Sequence, residues 1–415
     1  MDTLIRSHAD QIIQASIQAV MPDEAVGRAL ESIRFHGRVV LIAAGKAAWQ
    51  MAKAAYDRLG QRIDSGVVIT KYHHSKGPIG NLSLYEARHP VPDENSFRAT
   101  QAAIDAVQGL TSQDTVLFLL SGGGSALFEK PLIPPEDLTR LTEELLACGA
   151  DIVEMNTVRK RFSAVKGGKF AALCAPATVE AVVLSDIIGD PLDMIASGPA
   201  YPDSSTAQQA QAIAAKYGLT ITEQMQALLA VETPKQLSNV RTQITGSVRQ
   251  LCQAAEKTCQ ALGYQPLVLT ASLSCTARDA GVMLSNIAQY YENTGKNLAF
   301  ILGGETVVHL TGHGKGGRNQ ELALAAAPGI AGMEGAAVFS LGSDGTDGPT
   351  DAAGGYVDGS TAQALKDQGV DIFQVLQDND AYHALQAIGG LILTGPTGTN
   401  VNDVSVLLLR STSPS

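Results

Sequence analysis

The run TVLFLLSGGGSALFEKP, residues 115–131, sets an apolar stretch against three consecutive glycines between two serines. Apolar residues without polar alternation predict a strand buried on both faces, as in a parallel sheet covered by helices. The glycines let the main chain turn sharply and aim several N–H groups at one anion, with the serines adding hydroxyl donors. An ordinary strand-to-helix turn needs only one or two glycines. Ser121, Gly122, Gly123, Gly124 and Ser125 are therefore read as a phosphate cradle.

The same arrangement recurs on either side of this stretch, in VVLIAAGKAA (39–48), VVLSDIIGD (182–190), FILGGET (300–306) and FSLGSDGTDG (339–348). In open α/β sheets, ligands bind in the crevice beyond the carboxyl ends of the strands. Five such ends predict an active site. Strands expected at 39–42, 67–70, 82–87 and 115–120 alternate with helices at 47–59 and 96–108, which is a βαβ rhythm. The second half predicts helices at 248–262, 277–293 and 319–327 and strands at 266–270, 298–302, 306–310, 336–341 and 404–409. The pair Gly303 and Gly304 leaves too little chain for a parallel crossover, so antiparallel pairing is expected across it.

The length of 415 residues exceeds one ordinary core, and the linker candidate at 231–238 divides it into domains of 1–236 and 237–415. Apolar residues are 45% and charged residues 17%, a globular composition without low-complexity tails. The net charge of −11 argues against nucleic acid or an anionic membrane as partner. The opening MDTLIRSHADQIIQ has acids and polar residues where a signal peptide is apolar, so a soluble cytoplasmic protein is expected. The five cysteines form no C-x-x-C pair and read as reduced structural thiols. A small-molecule ligand remains, and if anionic it must meet local positive charge. Arg159, Lys160, Arg161, Lys166 and Lys169 supply one such place, in a stretch without an acid.

Lys46 opens a helix directly after a buried strand, where an ammonium beside helix N-terminal N–H groups makes an anion site. It is not a Walker A lysine, because neither the upstream glycine nor a following Ser or Thr is present. Asp186 and Asp190 beyond another strand suit a hard cation such as Mg²⁺, though capping a turn is equally common work for loop aspartates. Gly312, Gly314 and Gly317 satisfy G-x-G-x-x-G, but no strand-terminal acid follows about 20 residues on, as a dinucleotide site requires. Lys315 and Arg318 at that helix entrance are better read as anion clamps. Asp344, Asp347 and Asp351 crowd a glycine-rich loop that lacks the EF-hand's final Glu and reads as a catalytic acidic loop. His89, in RHPVPD, is the histidine whose near-neutral pKa suits proton shuttling, though structural packing is the commoner role.

These segments, with EARHPVPDENSFRAT (86–100), MNTVRKRFSAVKGGKF (155–170) and LTGPTGTNVNDV (393–404), closely resemble the class II glycerate kinases, whose C-terminal part is the MOFRL domain. The resemblance covers nearly the whole chain. It implies a Rossmann-like N-terminal domain with a parallel sheet, then a second α/β domain of MOFRL type with a mixed sheet. It also implies ATP- and Mg²⁺-dependent phosphorylation of the 2-hydroxyl of D-glycerate, in the cleft between the domains. The family's essential lysine matches Lys46 and its essential arginine Arg318. Ser343 stands where the family favours Thr, and Ala200 where SGPT is usual; neither removes a charge.

On this reading Lys46 and Arg318 steady the transferred phosphoryl group or the glycerate carboxylate. The loop from Ser121 to Ser125, with Lys315, holds nucleotide phosphates. Mg²⁺ bridges them to Asp186 or Asp190, and Asp190 takes the hydroxyl proton. Arg159, Lys160, Glu305, Asp344 and Asp347 are assigned to the substrate. No nucleic acid or membrane partner is expected, and a homodimer is compatible with the chain. Two rivals differ in class. An NAD(P)H-dependent hydroxypyruvate reductase shares the family's older label but lacks the ribose-binding acid. A non-catalytic sugar-acid or nucleotide sensor does not account for so many cations and carboxylates at strand ends.

Overall fold

A computed structural model describes residues 2–189 and 191–411. Packing divides the chain into two compact units, Ala25–Thr245 and a second formed by the residues up to Glu24 with Gly246 onward. The chain thus passes between units later than the 236/237 boundary expected from sequence, and its N-terminal helix joins the C-terminal part. The reason is a hydrophobic stripe. On the helix Thr3–Ala19, Ile5, Ala9, Ile12 and Ile13 are buried in one cluster with Val248, Leu251, Cys252 and Cys259 of the helix Val248–Ala261.

The Ala25–Thr245 unit holds six strands: β1 (Val39–Ala44), β2 (Ser65–Lys71), β3 (Ser83–Ala87), β4 (Thr115–Leu120), β5 (Thr178–Leu184) and β6 (Val240–Gly246). β6 ends on the first residue of the other unit. The strand order is β3-β2-β1-β4-β5-β6, and the pairings from β3 through β5 are parallel. This is the doubly wound order, with its topological switch point between β1 and β4. Both central strands are buried along their whole length, as their unbroken apolar sequences require. Their alternate residues feed opposite faces. Val40, Ile42, Val116 and Phe118 enter one core with Phe128 and Phe170, while Leu41, Leu117 and Leu119 enter another with Met51 and Ala55. Each fully buried aliphatic or aromatic side chain is worth roughly 1.5–3 kcal/mol.

The second unit contains β7 (Gln265–Leu273), β8 (Leu298–Gly304), β9 (Ala336–Gly342), β10 (Gly354–Asp358), β11 (Leu391–Ile392) and β12 (Asp403–Leu409). Their order is β11-β10-β9-β12-β8-β7, and only β7 with β8 is parallel. The expected mixed sheet is present, but the expected hairpin through Gly303 and Gly304 is not. β8 pairs with β12, about a hundred residues away, and the 306–310 segment forms no strand beyond a single bridge of Val307 to Thr276. Sequence alternation reports which faces are apolar and says nothing of which strand lies alongside. The helices Ala277–Tyr291 and Arg318–Ala326 cover one face of this sheet. No helix among the described residues is long and apolar enough to cross a membrane.

Candidate active site

In the Ala25–Thr245 unit the switch point is filled by two glycine turns locked together. The Lys46 N–H donates to the Gly122 carbonyl at 2.9 Å, and the Ala47 N–H donates to Ser121 Oγ at 3.1 Å. Gly45 has φ +129°, and a Cβ there would lie 2.2 Å from Ser121 Oγ, so only glycine fits. Gly123, at φ +83°, precedes the short helix Gly124–Leu127.

The flanking loops press on the cradle. A Cβ on Gly122 would come within 2.1 Å of Asp186 Oδ2. One on Gly123 would meet the His89 ring at 3.0 Å and Lys46 Cγ at 3.2 Å, and one on Gly124 would meet Ala196 Cβ at 2.7 Å. The ends of β1, β3, β4 and β5 therefore deliver Lys46, His89, the glycine loop and Asp186 to one place, as the sequence predicts for Lys46, the loop and Asp186. Asp190 lies outside the described residues.

Both serines hold inward hydrogen bonds; Ser125 gives its proton to Ser197, which corrects its expected role as a phosphate donor, whereas Ser121 only accepts and keeps its own proton. Ser121 is buried and its Oγ already accepts the Ala47 N–H. Ser125 Oγ lies 3.0 Å from Ser197 Oγ, which in turn donates to Asn156 Oδ1 at 3.0 Å. Ala196 and Ser197 adopt left-handed φ values of +50° and +61°, a strained conformation for residues with a Cβ. Beneath them Lys166 Nζ donates to the Ser125 carbonyl at 2.8 Å and pairs with Glu129 at 2.6 Å, both side chains being buried.

The acid-free stretch is also largely satisfied from within. Lys160, expected to bind substrate, forms a 2.9 Å ion pair with Asp203, and both side chains are shut away from solvent. A buried ammonium requires such a partner, so its charge is structural. Arg161 Nη2 donates to the Ser205 carbonyl at 2.9 Å, and Lys169 Nζ donates to the Ser163 carbonyl at 2.7 Å. Burial pushes the Lys169 ammonium down to about 8. Arg159 differs in forming no ion pair among the described residues, and its Nε, like that of Arg161, is buried with no hydrogen-bond partner among them.

The second unit builds a separate cluster around Arg318, the first residue of the helix Arg318–Ala326. Its guanidinium meets Asp403 through Nη2 at 2.9 Å and Glu305 through Nη1 at 3.0 Å. Asn402 Nδ2 donates to the other Glu305 oxygen at 3.3 Å. The two carboxylates hold the guanidinium firmly protonated, while burial raises the Asp403 carboxyl above its ordinary range. Glu305, itself exposed, thus holds Arg318 in place.

Asp347 is corrected as well. It accepts from the N–H groups of Asn319 at 3.2 Å and Gln320 at 2.9 Å, capping the helix from a distant loop. Burial pushes it up to about 6. Asp344 turns its own loop by accepting the Thr346 N–H at 2.9 Å. The Lys315 ammonium sits 4.0 Å from the Tyr382 ring centroid, a cation–π contact where a phosphate clamp is expected. Sequence reasoning missed Asp403, whose signal lay in the quoted 393–404 segment.

Among the described residues no three His, Cys, Asp or Glu side chains gather as a metal cluster. Mg²⁺ does not need one, since it typically takes one or two carboxylates and completes its shell with water and phosphate. Asp186, pressed against a phosphate-cradle glycine, fits that donor set.

Comparison with known proteins places this geometry. Residues 8–230 match the family described as Domain of unknown function (DUF4147), and residues 298–403 match the MOFRL family. The chain is 51% identical over 411 residues to D-glycerate 2-kinase of Thermotoga maritima, covering 98% of each sequence. It is 38% identical to an Agrobacterium vitis protein whose name refers to hydroxypyruvate reductase, covering 98% of this chain and 95% of that protein. The crystal structure of the Thermotoga maritima glycerate kinase superposes with a TM-score of 0.94, covering 98% of this chain and 99% of that one.

Proposed function

We infer, for a chain that belongs to the MOFRL-containing glycerate 2-kinase family, that it transfers the γ-phosphoryl group of ATP to the 2-hydroxyl of D-glycerate, giving 2-phosphoglycerate. The observation that carries the reading is the interlocked pair of turns at the switch point, with Lys46 hydrogen-bonded to the glycine loop and Asp186 against it. A cradle of main-chain N–H groups beside an ammonium and a carboxylate is what phosphoryl transfer requires, because that chemistry asks for positioning and charge neutralisation above all.

In this scheme the glycine loop fixes the nucleotide phosphates and Lys46 offers its ammonium to the oxygens that gain charge as the bond to the leaving ADP breaks. The glycerate 2-oxygen forms the new P–O bond, and its proton passes to a carboxylate, assigned to Asp190. Arg159, which forms no ion pair among the described residues, remains assigned to the substrate. Arg318, oriented by Asp403 and Glu305, is the second cation assigned to the reaction. Asp186, with Asp190, would hold Mg²⁺, which would supply charge neutralisation at the phosphates.

Purified protein supplied with D-glycerate, ATP and Mg²⁺ should release ADP and 2-phosphoglycerate. Oxidation of NADH with hydroxypyruvate, and no ADP from glycerate, would replace the kinase by the reductase.

A further inference from the structure

We propose that His89 and Lys71 join Lys46 in an anion subsite over Gly123, where His89 donates a hydrogen bond to an oxyanion of the bound substrates. The proposal deepens the kinase reading and rests on it. Three neighbouring strand ends supply the groups: Lys46 follows β1, Lys71 closes β2, and His89 stands two residues past β3. A Cβ on Gly123 would touch the His89 ring at 3.0–3.1 Å and Lys46 Cγ at 3.2 Å, so imidazole and lysine stem flank the same bare stretch of main chain.

None of the three side chains has a hydrogen bond or ion pair among the described residues. Of the nearby acids, Asp186 stands against the neighbouring Gly122 as the candidate Mg²⁺ ligand, and two others are committed elsewhere. Glu86 accepts the Ser75 N–H at 3.0 Å, and Asp93 accepts from Tyr72 Oη at 2.7 Å and from the Ser96 N–H at 3.1 Å. His74, whose Nδ1 lies 3.2 Å from the Lys46 carbonyl, adds another imidazole. Partial burial and the charges of Lys46 and Lys71 push His89 down to about 4. It is therefore a neutral ring that keeps one N–H donor near neutral pH. Two ammonium groups beside a neutral ring, none of them ion-paired among the described residues, call for an anionic ligand. The reaction offers two oxyanions, the glycerate carboxylate and the transferred phosphoryl group.

His89→Leu, His89→Gln and Lys71→Met are assayed with D-glycerate and MgATP varied separately, with thermal midpoints measured in parallel. The wild-type ring ¹⁵N signals are followed during titration with D-glycerate and with MgADP plus inorganic phosphate. Loss of one directional hydrogen bond to a charged group should lower kcat/KM about tenfold or more in His89→Leu at unchanged midpoint. His89→Gln, which keeps an N–H donor, should recover part of that loss. A change confined to the D-glycerate KM assigns the carboxylate, and a change in kcat or the MgATP KM assigns the phosphoryl group.

Wild-type kinetics in all three variants, or a His89 ring signal unmoved by either titration, overturns the subsite. If His89→Leu unfolds, His89→Gln and the titrations still decide. Absence of glycerate kinase turnover in the wild type would instead overturn the parent reading, and the ring titration would judge the subsite alone.

Discussion

Arg318 and Asp403 meet as a planar fork on a carboxylate, with Nε to Oδ2 at 2.5 Å and Nη2 to Oδ1 at 2.9 Å. Asp403 begins β12 while Arg318 opens a helix 85 residues earlier, so the sheet itself aims the guanidinium. The geometry is bidentate and cannot be reproduced by an ammonium. Asp403→Asn should lower kcat about tenfold or more, the worth of one charge-assisted hydrogen bond. Arg318→Lys should lose still more. Steady-state kinetics on both variants checks the order.

Lys46→Ala should cut kcat by about 10³-fold or more, the loss expected when a charge clamp on a transferred phosphoryl group is removed. Its side chain has no ion pair among the described residues, so stability should shift by no more than about 0.5 kcal/mol. Turnover near the wild-type rate would remove Lys46 from the mechanism. Calorimetry beside the assay separates lost chemistry from lost fold.

Gly122→Ala tests the carboxylate beside the cradle. The new methyl would need the space of Asp186 Oδ2, 2.1 Å away, and the carboxylate must swing aside. The variant should fold, show a lower kcat and need a higher Mg²⁺ concentration for half-maximal rate. An unchanged Mg²⁺ requirement would dissociate Asp186 from the cation.

The Lys166–Glu129 pair under the loop predicts non-additive stabilities. Removing one partner of a buried pair typically costs about 3–5 kcal/mol because the other charge is stranded, whereas apolar replacement of both is far milder. Lys166→Met should therefore destabilise more than Lys166→Met with Glu129→Leu. Urea unfolding of wild type, single and double variants measures the coupling.

His89 makes stability pH-dependent in a definite direction. Its folded value is pushed from 6.5 to about 4, so between these limits the unfolded chain binds the proton that the folded imidazole refuses. Its contribution is complete above about pH 6.5 and is lost as pH falls toward 4, since stability drops wherever the unfolded state holds more protons on acidification. His89→Gln should flatten the stability profile in that window. Denaturant midpoints from pH 4 to 7 provide the check.

Much of the architecture was legible because burial dictates composition. β1 and β4 could be read directly, since a strand covered on both faces must be apolar throughout. Lys46 and the three glycines were legible because a close turn and an anion cradle leave few alternatives. β6 and β10 were not anticipated: VRTQITG is polar and half-exposed, and GGYVD is short and led by glycines. The hairpin expected at Gly303 failed because local chain economy says nothing about a partner such as β12.

The side-chain assignments divided along the same line. Lys160 looked like a free cation in a stretch without acids, yet Asp203, 43 residues on, neutralises it. Ser125 looked like a phosphate donor until Ser197 took its proton, and Asp347 looked like a substrate ligand until it capped a helix.

The amino-acid order alone determined where apolar strands end in glycine, which charged residues stand at those ends, and the family the chain resembles. Tertiary structure decided which of those charges are already satisfied. A buried ion or polar group must find a partner or suffer desolvation, and the fold draws that partner from anywhere along the chain. Lys160, Ser121 and Asp347 found theirs inside the protein, while Lys46, Lys71 and His89 have no side-chain partner among the described residues.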